Sequence, residues 1–124
     1  MRREERPSEQ LAAFLAFIDQ CASRYNVAYS DVNLEDKRLQ DLLHEIEFAP
    51  DRAAQDRAST KLRRSRRVRR ENKDTVKLYE QIVQFFGDQS NRKVLEQMRQ
   101  LLGRQRKEEE YLSSERTYKP RAEK

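Results

Sequence analysis

The chain has 124 residues, of which 40% are charged and only 35% belong to the apolar set, with two glycines, three prolines and no tryptophan. This is too little apolar volume for a wide globular core, and it suits long helices that each bury a narrow stripe. The formal charge of +5 is unevenly spread, with a net of −4 over residues 1–50, +6 over 51–86 and +3 over 87–124.

An acidic opening segment therefore precedes a basic middle one. The two can neutralise each other inside the fold, or the basic one can face a polyanion. Cys21 is the single cysteine, so no intrachain disulfide forms and a reducing compartment fits. The apolar run LAAFLAFI is too short to span a membrane and has no small-residue cleavage site. A cytoplasmic protein with no membrane partner is expected.

Residues 1–7 are polar and read as a flexible N-terminus. Ser8 is the expected N-cap of the first helix, which spans about 8–48. Its stripe is Leu11, Leu15, Ile18, Ala22, Tyr25, Tyr29, Val32, Asp36, Leu39, Leu43 and Ile46, a heptad pattern with one charged violation at Asp36. One continuous helix of about 60 Å is expected; the alternative is a break near Ser30–Asn33, where side chains compete with the backbone.

Pro50 ends that helix, and Asp51 suits the first turn of the next, which spans about 51–86. The second stripe is Ala54, Ala58, Leu62, Ser65, Val68, Asn72, Val76, Tyr79, Ile82 and Phe86, with Gly87 as the expected stop. Ser90 can cap a third helix, about 90–113, whose stripe is Val94, Leu95, Met98, Leu101, Leu102, Gln105 and Leu112. Gly103 within it marks either a close contact or a weak point. Residues 115–124 read as a flexible basic tail.

Short connections make neighbouring helices antiparallel. The expected fold is all-α: a long coiled-coil-like antiparallel hairpin, with a third, shorter helix packed at the end away from the first turn. Residues 8–114 form a single helical domain in this reading. Folding the hairpin at residues 49–50 brings Asp36 level with Arg63.

Little in the sequence can carry chemistry. There is no glycine-rich phosphate loop and no nucleophile elbow, and His44 is the only histidine. Cys21 is expected to be packed, His44 to be solvated, and Glu108, Glu109 and Glu110 to be a solvated run. No catalytic residue, metal site or cofactor is expected, and the protein is read as a non-enzyme.

Two constellations remain. The first is the run KLRRSRRVRRENK, residues 61–73. Arg63, Arg66, Arg67 and Arg70, with Lys73, share a helical face that can follow a phosphate backbone. The run holds no aromatic residue and no base-reading signature, and helix-one carboxylates are expected to occupy several of these arginines. The second is the end of the hairpin, where Leu39, Leu42, Leu43, Ile46 and Phe48 face only Ala53, Ala54 and Ala58. Leu42 is expected at the outer edge of the seam, on an apolar strip left for a partner.

The leading expectation is an interaction protein that self-associates as a dimer, binds a protein partner through this stalk, and offers an arginine face to a polyanion. The alternative is a small DNA- or RNA-binding accessory protein, non-specific in sequence, of the kind a phage or mobile element encodes.

Overall fold

The computed structural model describes residues 6–115, which form three α-helices: α1 (Pro7–Glu47), α2 (Arg52–Gly87) and α3 (Gln89–Ser113). No strand occurs among the described residues. Of the flexible ends expected from the sequence, residues 1–5 and 116–124 lie outside the described residues, whereas Pro7 is already helical. The chain divides into two compact units, Ile18–Asp88 and Met1–Phe17 with Gln89–Lys124.

The first unit is the antiparallel hairpin of α1 and α2. α1 runs without a break through Ser30–Asn33. Asp51 starts α2 as its N-cap rather than as a first-turn residue: its backbone is extended, and the Ala54 N–H donates to its Oδ1 at 2.8 Å. α2 ends at Gly87, which keeps a negative φ, so the stop is made by the extended backbone of Asp88 and not by a left-handed glycine. α3 starts immediately at Gln89, which places Ser90 inside its first turn and not at the cap.

Every expected stripe position of α2 is buried or half-buried, from Ala54 to Phe86. In α1 the stripe holds to Tyr25 and then steps to Ala28, so the covered residues become Ala28, Glu35 and Leu42 in place of Tyr29, Asp36 and Leu43. The fully covered positions of the seam include the small residues Ala28 (3% exposed) and Ala58 (0% exposed), and Ala28 lies by Asn72, Thr75 and Tyr79 of α2. Cys21 is buried on the same face, as expected.

Glu35 enters the seam because it finds partners there. The Ser65 hydroxyl donates to its Oε2 at 2.5 Å, and the Arg38 guanidinium donates to Oε1 at 2.5 Å. Asp36, one residue on, turns outward and takes Arg69 at 2.5 Å, not the expected Arg63. Lys61 to Glu45 at 3.3 Å and Arg24 to the Tyr79 hydroxyl at 2.9 Å complete a ladder whose pairings run in opposite senses along the two helices.

In the second unit α3 packs on the opening of α1, at the opposite end of α1 from the first connection. Its covered residues are Asn91, Leu95, Met98, Leu102, Gln105 and Glu109, alternating in steps of 4 and 3. Val94, Leu101 and Leu112, expected on the stripe, are exposed. Nothing lies within 4 Å of a Cβ placed on Gly103, so this glycine marks no close contact.

Glu109, expected to be solvated, is buried and closes the start of α1. It accepts the Ser8 backbone N–H at 2.9 Å, the Ser8 hydroxyl at 2.5 Å and the Gln105 amide at 3.0 Å. α1 begins a residue earlier than expected, with Pro7 as its first residue and Arg6 accepting the Glu9 N–H at 3.0 Å. Ser8 is therefore not the cap. A carboxylate brought from α3 serves the free N–H groups and the positive end of the helix dipole. Burial pushes the Glu109 carboxyl up, but the bonds from Ser8 and Gln105, with the charge of Arg6, outweigh it and hold the group below the ordinary carboxylate value of 4.5.

Two outcomes follow. Ser65→Ala leaves one buried Glu35 oxygen without its donor and should lower the unfolding free energy by about 1–3 kcal/mol, read from urea titration. For Glu109, a depressed carboxyl contributes stability that is present above its unfolded pKa and lost as pH falls through the folded one. Unfolding measured from about pH 6 down to pH 3 should therefore show a smaller acid loss in Glu109→Gln, which starts less stable, than in the wild type.

Candidate functional site

α2 is held by its seam residues, and this dictates what it turns away from α1. Counted from Ser65, the opposite side of the helix carries Thr60, Arg63, Arg67 and Arg70, with Arg64 on one flank and Arg66 and Lys73 on the other, and Glu71 and Asp74 follow on the same side one turn on. All six basic residues are exposed. Thr60, Arg63, Arg64, Arg67 and Arg70 line one open hollow of about 670 Å³.

The expected neutralisation of this face by α1 does not occur. The carboxylates of α1 that reach α2 are taken elsewhere: Glu35 by Ser65 and Arg38, Asp36 by Arg69, Glu45 by Lys61. Arg63, Arg64, Arg66, Arg67 and Arg70 pair with no carboxylate among the described residues. Five guanidinium groups thus stand on adjoining turns with their forks free. Each offers planar, bidentate donors to a phosphate. Arg64 belongs to this face although the 3 and 4 spacing of the sequence did not select it; Arg69, inside the same run, does not.

The second constellation is rearranged by the step in the α1 stripe. Leu42, expected at the outer edge, is 6% exposed and lies within the seam, where it lines a hollow with Glu35, Arg38, Lys61, Arg64, Ser65 and Val68. Leu39 and Ile46 are half-buried beside it. The outward residues are Leu43, 45% exposed, and Phe48, 72% exposed, whose ring stacks on His44 at 5.9 Å. His44 itself is exposed, as expected. The apolar strip of the stalk is therefore reduced to Leu43 and Phe48.

No group of His, Cys, Asp and Glu among the described residues is arranged to hold a metal ion. No helix among them is long and apolar enough to cross a membrane. Comparison with protein-family models, with curated proteins and with solved structures gave no match.

Proposed function

We propose that this protein binds the phosphate backbone of nucleic acid through the outer face of α2, without reading base sequence. The observation that carries this is the set of five exposed arginines with no carboxylate partner. Arg63 to Arg70 spans about 10 Å of helix, a stretch over which duplex DNA presents several phosphates, at one charge per about 1.7 Å of axis. Arginine can also pair with a guanine edge, but no recognition-helix signature surrounds this run. Between residues 60 and 70 this face carries Thr60 and otherwise arginines, which suits backbone contact, and Glu71 and Asp74 bound it on the following turn. The work of the protein in this reading is binding, with no bond made or broken.

Changing Arg63, Arg66, Arg67 and Arg70 together to alanine should weaken duplex binding and flatten its salt dependence. Four phosphate contacts correspond to a slope of about −3.6 in log K against log salt. Fluorescence anisotropy across a salt series reads both quantities. A quadruple variant that keeps wild-type affinity and slope would remove this face from the function.

A second reading, association of the stalk with another copy of the chain, rests on the exposed Leu43 and Phe48. Leu42 is not a suitable probe, since a charge there would enter the hairpin seam. Leu43→Glu with Phe48→Glu should lower the sedimenting mass while leaving helicity unchanged. A wild-type chain that sediments as a monomer at all concentrations ends this reading.

A further inference from the structure

We infer that the protein prefers a single strand to a duplex, and that one unpaired base stacks on Tyr29. This rests on the backbone-binding reading above and names its substrate class. The basic run of α2 contains no aromatic residue. The fold supplies one from α1. Because the α1 stripe steps from Tyr25 to Ala28, Tyr29 leaves the seam and stands 53% exposed on its flank. There it lines a hollow of about 270 Å³ with Val32, Asn33, Lys73, Val76, Lys77 and Glu80.

This hollow adjoins the arginine face. Arg66, Arg70, Lys73 and Lys77 follow one another at spacings of 4, 3 and 4, so they form one ridge along a single flank of α2. All four are exposed, and none pairs with a carboxylate among the described residues. The last two border the hollow. A sugar–phosphate backbone following the ridge would bring its bases past the Tyr29 ring. Cationic track and aromatic platform are the two parts that single-strand binding requires.

The rim of the hollow favours a base over a phosphate. Val32 and Val76 line it with apolar surface. Glu80 repels a phosphate but accepts a hydrogen bond from an exocyclic amino group, as carboxylates do from cytosine. Asn33 offers both a donor and an acceptor. Tyr25 contacts the Tyr29 ring from the preceding turn, centroid to centroid 5.9 Å, and supports its position. A duplex keeps its bases inside the stack and could use the ridge but not the ring.

The test compares a short oligodeoxycytidine strand with a blunt duplex of the same length, by anisotropy, on the wild type, Tyr29→Ala, Tyr29→Leu and Tyr29→Phe. The wild type should prefer the single strand. Tyr29→Ala and Tyr29→Leu should each lose about tenfold on the single strand, the size of one base–aromatic stack, and nothing on the duplex. Tyr29→Phe should keep wild-type affinity. Because Leu retains apolar bulk at this exposed site, it reports on stacking even where Ala disturbs the helix. Tyr29 variants that match the wild type on the single strand, with salt-dependent duplex binding intact, overturn the base hollow and leave the backbone reading standing. Equal losses on both substrates overturn it as well. A wild type that binds neither substrate overturns both readings.

Discussion

Glu35 and Ser65 meet inside a seam whose other fully buried side chains are small or aliphatic, and the hairpin's register rests on that meeting. Aliphatic residues at heptad spacing tolerate slippage, because one leucine against another is much like the next. A buried carboxylate does not, since it must find its donors or remain charged in a poor solvent. With Glu35 opposite Ser65, Asp36 is carried to Arg69 and Glu45 to Lys61. Three carboxylates of α1, Glu35, Asp36 and Glu45, are thereby occupied in or beside the seam, and Arg63, Arg64, Arg66, Arg67 and Arg70 are left pointing outward. The exposure of the basic face is a consequence of the hairpin's internal pairing.

The same pair shows where the sequence was readable and where it was not. The α2 stripe could be traced residue by residue, because its polar and apolar positions alternate clearly over the whole helix. In α1 three adjacent couples decide the phase: Ala28 or Tyr29, Glu35 or Asp36, Leu42 or Leu43. Heptad spacing favours Tyr29 in the first couple, and residue type is nearly neutral in the other two. What selects Ala28, Glu35 and Leu42 is the shape and polarity of the opposite helix, which no reading of α1 alone contains. The error carried directly into the candidate sites. It placed Leu42 outside, put Asp36 with Arg63, and hid Tyr29 in the core.

α3 was misjudged in a related way. Counting apolar residues extended its stripe to Leu112, whereas the position that completes the 4 and 3 alternation is Glu109. A glutamate reads as solvated unless the free N–H groups of another helix are known to stand opposite. The arginine run, by contrast, was legible as a face from spacing alone. Only its freedom from α1 required the structure.

The cap that Glu109 forms has a consequence in time. Its acceptor oxygens and the Ser8 groups they serve lie 101 positions apart along the chain, so this is a contact of very high sequence separation. During synthesis the opening turn of α1 emerges first, and its free amides face water until residue 109 has left the ribosome. The side-chain bonds described between α1 and α2 join residues only 16 to 55 positions apart, and α2 follows α1 after a short connection. The start of α1 therefore has its capping carboxylate only once α3 has been made.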